Sequence, residues 1–499
     1  MATTAVHLEA GRLSKLLFPL FSDPLFTIAI VQTISYVFGS MSDSSNSVSF
    51  SNFLDSQSFI GVNYGNQASE LPQPGDIVNL LKTTTIAKVR LLGSADQSMI
   101  KALANTDIEL VIGLDNTEIQ WVASGPDAAS QWVNSKVMPY YPASKIIIIT
   151  VGNEVLTSEN QDVISSTLPA MQNIQNALNT ASLGEKIKVT TVHSMAVLSQ
   201  FSPPSSGAFN LSFVDTMKAL LQFQSAHGSP FMINAFPFCA YKSDPKPETL
   251  AFCLFQPNSG QVDSRNNIEY MNMFDVQVDA VRSALNAMGY NDTEIVVAQT
   301  GWPNQNYRNE VGPSLDNAKA YVGNLINHLR SNVGTPLMPG KSLDTYIYEL
   351  FDEDEKIGTV SSSEQSFGLY KSDTSPYYDS GLFKSSENPT TPSPTTPASP
   401  TPAPNPVGLW CVPKPDGISD AQLQENINFA CSQGIDCSPI KQGGACFEPN
   451  TIASHAAYVM NLYYLFAGKN PWNCNFSQTA TITTTNPSYD GCVYPSGST

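Results

Sequence analysis

Ile146-Ile-Ile-Ile-Thr-Val151 is a run of apolar and β-branched residues with no polar alternation. A strand of that kind is buried on both faces, which is the habit of parallel sheets. Seven more candidate strands share this part of the chain: Phe59–Tyr64, Lys88–Leu92, Leu110–Leu114, Val189–His193, Phe231–Phe236, Glu294–Gln299 and Thr345–Phe351. Amphipathic stretches lie between them. The clearest sets Phe274, Val278, Val281, Leu285 and Met288 at helical spacing and ends at Gly289. Eight strand–helix units predict an α/β fold, a (β/α)8 TIM barrel. An open doubly wound sheet is the competing architecture, but no G-x-G-x-x-G follows the first strand.

The 499-residue chain is too long for one ordinary core. Residues 385–406 read SSENPTTPSPTTPASPTPAPNP, a Pro/Ser/Thr-rich linker that favours extended backbone. It separates a barrel over residues 58–384 from a small domain over 407–495. That small domain holds six of the eight cysteines: Cys411, Cys431, Cys437, Cys446, Cys474 and Cys492. An even count in a short secreted segment reads as three disulfides. No C-x-x-C occurs and only His455 lies nearby, so no metal site is expected. Cys239 and Cys253 fall in the barrel, either paired or as buried thiols.

Arg12 and Lys15 precede an apolar stretch from Leu16 to Phe38 that Pro19, Asp23 and Pro24 interrupt. Small residues follow at Gly39, Ser40 and Ser42. This pattern predicts a secretory signal peptide over residues 1–42. A membrane anchor is disfavoured, because the uninterrupted run is short of the ~20 residues a span needs. Sequons at Asn210, Asn291 and Asn475 agree with secretion. The net charge of −18 argues against nucleic acid, which needs basic patches, and suits a soluble protein at mildly acidic pH such as that of a cell wall.

In a (β/α)8 barrel, polar residues at strand C-terminal ends build the active site. Strand four ends Gly-Asn153-Glu154, strand seven ends Gln299-Thr-Gly-Trp302-Pro, and strand eight ends Glu349-Leu-Phe-Asp352-Glu353-Asp354-Glu355-Lys356, with Glu364 beyond. Cleaving a glycosidic bond takes one carboxylic acid to protonate the leaving oxygen and one carboxylate to attack the sugar or activate water. Glu154 fits the first role. Position 299 faces it across the mouth but carries an amide, which has no charge to stabilise an oxocarbenium-like transition state. Glu353 and Glu364 are the carboxylates that could substitute. Tyr64, Phe236 and Trp302 sit near strand ends, where aromatic faces either stack on sugar rings or pack in the core.

Phe59-Ile-Gly-Val-Asn-Tyr-Gly, Val-Gly-Asn-Glu154-Val, Phe274-Asp-Val-Gln-Val-Asp-Ala-Val, Thr-Gly-Trp-Pro and Phe351-Asp-Glu resemble glycoside hydrolase family 17, the plant endo-1,3-β-glucanases. The resemblance spans about residues 58–372. It implies a retaining (β/α)8 enzyme with Glu154 as acid/base, Gln299 at the nucleophile position, and Glu353, Lys356 and Glu364 as an accessory charged cluster. Three departures stand out. Gln299 replaces the usual Glu. Phe236 replaces the usual Tyr of Asn-x-Tyr-Pro, whose hydroxyl is expected to bond the nucleophile. Leu92-Gly93 stands where Tyr-Asp or Phe-Asp is usual. The pattern implies a site released from catalysis: an extracellular, cell-wall protein, monomeric and without cofactor, that recognises β-1,3-glucan. An active glucanase served by another carboxylate is the alternative.

Trp410-Cys411-Val-Pro, Ala430-Cys431-Ser, Asp436-Cys437, Gly444-Ala-Cys446 and Tyr463-Tyr-Leu-Phe, with Cys474 and Cys492, resemble carbohydrate-binding module family 43. That resemblance implies β-1,3-glucan binding and the pairings Cys411–Cys474, Cys431–Cys437 and Cys446–Cys492. Tyr458, Tyr463, Tyr464 and Trp472 are the candidate stacking rings, some of them in the core.

Overall fold

The computed structural model describes residues 59–306, 310–356, 362–384, 409–415, 417–467, 469, 471–474, 476 and 479–496. The expected signal peptide, the linker and the Asn475 sequon fall outside the described residues. Eight parallel strands close into a barrel: β1 Ile60–Tyr64, β2 Lys88–Leu91, β3 Glu109–Leu114, β4 Lys145–Asn153, β5 Lys188–Ser194, β6 Phe231–Asn234, β7 Ile295–Thr300 and β8 Thr345–Ile347. Each pairs with its sequence neighbours, and β8 closes on β1. The strand pattern therefore predicts the architecture correctly. It overruns the ends of β6 and β8, where the chain leaves the sheet to build the mouth.

Period-2 alternation divides the apolar residues into two layers. Val111, Ile148, Val192, Met232, Val296, Ala298 and Tyr346 form one buried cluster that fills the barrel. Their strand neighbours join the larger cluster under the helices. The helix Met273–Ala287 shows the cause: Asn272 caps it by accepting from the Asp275 N–H, and its apolar stripe is buried against the sheet. At the lower end of the barrel Lys88 is paired with Glu109 at 3.1 Å and with Asp344.

The small domain has its own core. An antiparallel pair, β9 Trp410–Pro413 with β10 Ala480–Thr483, packs with helices Asp420–Ser432 and Ile452–Phe466. Disulfides join Cys411 to Cys474, Cys431 to Cys437 and Cys446 to Cys492. Tyr458, Tyr463 and Tyr464 are buried, with Tyr463 edge-on to Phe429 at 5.1 Å, so these three rings are core. The Cys431–Cys437 bridge spans only 6 residues. Loop-closure entropy assigns such a short bridge about 2 kcal/mol. A Cys431→Ser, Cys437→Ser double variant is expected to lower the module's thermal midpoint without unfolding it at room temperature, measured by calorimetry.

Candidate active site

The site sits where β4, β6 and β7 end. Gly152 adopts φ +75°, and a Cβ there would lie 2.4 Å from Val155 Cγ2, so only glycine lets the strand turn at this point. Glu154 follows with φ +57°, a left-handed conformation that is costly for a non-glycine residue and recurs at functional sites. The strain is held by its N–H, which donates to the carbonyl of Val192 at 2.8 Å. Its Oε1 accepts from Asn234 Nδ2 at 2.7 Å. Asn234 is paired in register with Gln299 on β7. One asparagine thus stands between the candidate acid and the amide.

Gln299 is 8% exposed, and among the described residues its side chain makes no hydrogen bond. Behind it lies a cation that motif reading missed. Arg90, in the strand Lys-Val-Arg-Leu, is 2% exposed. Its Nη1 donates to Asn63 Oδ1 at 3.1 Å and lies 3.5 Å from the carbonyl of Ala298, the residue before Gln299. Its Nη2 donates to Asn153 Oδ1 at 3.0 Å. Among the described residues Arg90 has no carboxylate bonded to it, and its Nε has no partner. Burial pushes its pKa down to about 10, against the pull of Tyr346, Glu154 and Tyr348. The groups that the guanidinium meets are neutral: two side-chain amide oxygens and one backbone carbonyl. The cue in the sequence was an arginine at an inward-facing position of an otherwise apolar strand.

Phe236 packs edge-on to Tyr348 and Phe367, each at 5.9 Å between centroids. It offers an apolar wall beside β6. Trp302 requires a correction. It is fully buried, donates Nε1–H to the carbonyl of Gly312 at 2.9 Å, and packs against Phe238, Tyr241 and Tyr321. Neither face is open to a sugar, so its role is structural. Tyr64 is 5% exposed and edge-on to Phe351. Burial, with the charges of Asp96 and Glu353, pushes its phenol up to about 12. It too belongs to the wall rather than to a stacking platform.

Glu353, Lys356 and Glu364 gather after β8. Glu353 is 2% exposed, accepts the Gln67 N–H at 3.1 Å, and is paired with Lys356 at 2.9 Å. Burial works to raise its pKa, but Lys356, Glu349 and the Gln67 N–H outweigh it and hold the carboxyl below its ordinary value. Lys356 also bonds the hydroxyl of Tyr348. Gly65 lies directly on this carboxylate: a Cβ there would sit 1.9 Å from Glu353 Oε1. Gly65→Ala is expected to destabilise the barrel by about 1–3 kcal/mol through overpacking, read as a shift in the denaturant midpoint. Glu364, half-buried on a short 3-10 turn, is raised by burial and by the charge of Glu154, with Lys356 and Lys242 opposing.

Of the remaining sites, Asn291 is exposed, and Asn210 is half-buried with its Oδ1 accepting the Ser212 N–H at 3.0 Å. Cys239 is exposed and Cys253 buried, and the two are not bonded. Among the described residues no group of His, Cys, Asp and Glu is arranged to hold a metal, and no helix is long and apolar enough to cross a membrane.

A closed parallel barrel with a strained glutamate at one strand end and a buried glutamine three strands away has the layout of a glycoside-hydrolase-type protein. Comparison with known proteins makes the assignment specific. Residues 60–381 match the model of glycosyl hydrolases family 17, and residues 409–481 match that of the X8 domain. The chain belongs to glycosyl hydrolase family 17 and carries a C-terminal X8 module. It is 67% identical over 444 residues to a glucan endo-1,3-beta-D-glucosidase of Olea europaea, covering 89% of this chain and 95% of the relative. It is 56% identical to glucan endo-1,3-beta-glucosidase 7 of Arabidopsis thaliana, covering 88% and 84%. A solved β-1,3-glucanase and allergen of Cryptomeria japonica pollen superposes with TM-score 0.61 at 41% identity, over 64% of this chain and 97% of that one.

Proposed function

We propose that the protein is a secreted, monomeric β-1,3-glucan-recognising member of its family whose hydrolysis is lost or strongly reduced. The single observation that carries this is Gln299: a neutral amide at the strand end, in register with Asn234 on the neighbouring strand, whose side chain bonds Glu154. Removing the nucleophile from a comparable catalytic unit costs on the order of 10⁴ to 10⁶ in rate, roughly 5–8 kcal/mol of barrier. Glu353 is a poor substitute, since it is buried and tied to Lys356 and the Gln67 N–H. In this reading Glu154 keeps the geometry of the acid/base, while Asn153, Lys356 and Glu364 supply polar contacts to sugar hydroxyls. The X8 module adds a second glucan-binding unit, and its three disulfides support an oxidising, extracellular location.

The second reading, an active endo-1,3-β-glucanase, is favoured by the relative from olive that is named for that activity. The two separate in one experiment. The full chain is incubated with laminarihexaose, and the sugar is recovered by chromatography after calorimetric titration. Binding with the hexaose recovered intact is expected. Binding with rapid appearance of shorter oligomers supports the enzyme instead, and no binding at all contradicts both.

A further inference from the structure

Glu349 belongs to none of the roles above. It follows β8 by two residues, its N–H donates to the carbonyl of Phe367 at 3.1 Å, and its carbonyl accepts from the N–H of Leu369 at 2.9 Å. The backbone is therefore fixed on both sides, and the side chain is 0% exposed. Neither carboxyl oxygen has an N–H or O–H donor among the described residues. Among the described residues, the polar group that its carboxyl meets is another carboxyl, that of Glu353.

Two carboxyl groups hydrogen-bond only when one of them carries a proton. The donors decide which. Glu353 accepts from the Gln67 N–H, from Lys356 and from the Tyr348 hydroxyl at 3.4 Å. Glu349 accepts from no donor among the described residues. Counting charge gives the same answer: two buried carboxylates beside one ammonium would leave an unpaired buried anion, which is prohibitively costly. Placing the proton on Glu349 leaves one carboxylate and one ammonium. The charged and titratable groups around Glu349 are Glu353, Lys356, Asp352 and Tyr348. Burial and the negative charges of Glu353 and Asp352 favour the neutral acid, and only Lys356 opposes it.

We propose that Glu349 is a positioning residue: it remains a neutral carboxylic acid at neutral pH and donates its O–H to Glu353, which fixes Glu353 and through it the Lys356 ammonium at the barrel mouth. Its effect on sugar rests on the reading of that mouth as a β-1,3-glucan site. Pairs of carboxyls whose surroundings push their protonation apart recur at functional sites in enzymes of different folds. Here the pair holds a cation in place rather than transferring a proton to a substrate.

Two measurements on the full chain test the assignment. The first is infrared difference spectroscopy at pH 7, wild type minus Glu349→Gln. The carbonyl stretch of a protonated carboxylic acid should be present in wild type and lost in the variant. The second is calorimetric affinity for laminarihexaose. Glu349→Gln keeps a donor for Glu353 and should bind within about twofold of wild type, while Glu349→Leu removes the donor and should bind about tenfold more weakly. Absence of the infrared band overturns the proton assignment. A band with unchanged binding in Glu349→Leu overturns the positioning role. A wild type that shows the band but binds no hexaose contradicts the glucan reading and leaves the proton assignment standing.

Discussion

Gln299→Glu is expected to raise hydrolysis of a linear β-1,3-glucan by about ten-thousand-fold or more, the factor that removal of a nucleophile costs elsewhere. The variant adds no volume and changes one group from amide to carboxylate. The surroundings are prepared for the charge. Arg90 is buried with no carboxylate partner among the described residues, and its Nη1 lies 3.5 Å from the carbonyl of Ala298. A new anion at position 299 would offset that charge and stabilise the ionised nucleophile. Glu154 is already held by Asn234 at 2.7 Å. Full recovery is not expected, because Phe236 offers no hydroxyl to orient the carboxylate. Phe236→Tyr combined with Gln299→Glu should gain further, and Phe236→Tyr alone should gain nothing. Reducing-sugar release measures all three.

Lys356→Met is expected to destabilise the barrel by about 3–5 kcal/mol at neutral pH, because it leaves Glu353 charged and buried without its cation. The Glu353 side chain is 3% exposed and Lys356 26%, so solvent screens the pair only weakly. The pH dependence gives the sign. Glu353 is held below its ordinary carboxylate value in the folded protein. Its ion pair therefore adds stability above the unfolded carboxylate pKa, and this is lost as pH falls through the folded value. The gap between wild type and Lys356→Met should be widest at neutral pH and close on acidification. Denaturant unfolding between neutral and acid pH checks this; a gap independent of pH contradicts it.

The barrel was legible because its strands are apolar on both faces and its helices carry regular stripes. The direction of individual rings was not. Trp302 and Tyr64 stand at strand ends in the sequence, yet Trp302 turns behind β7 to bond Gly312 and meet Tyr321, and Tyr64 turns toward Phe351. Sequence position places a Cα at the mouth; only packing decides which way a ring points. Arg90 and Asn234 were missed for a related reason, and Glu349 stood at a strand end with no role assigned to it. Each lies inside or just after a strand, where a polar residue is a signal only once the inward face is known. Glu154 and Gln299 were legible because the turns that follow them carry distinctive local sequence.

In the proposed reading, this family 17 barrel combines a strained glutamate, an asparagine bonded to it and a buried cation with an amide where the family resemblance places the nucleophile. Initial-rate release of reducing ends from a linear β-1,3-glucan by the purified wild-type chain, measured beside Gln299→Glu, tests that account most directly. The account predicts wild-type turnover near the blank and a clear gain in the variant. Wild-type turnover equal to or above that of Gln299→Glu would contradict it.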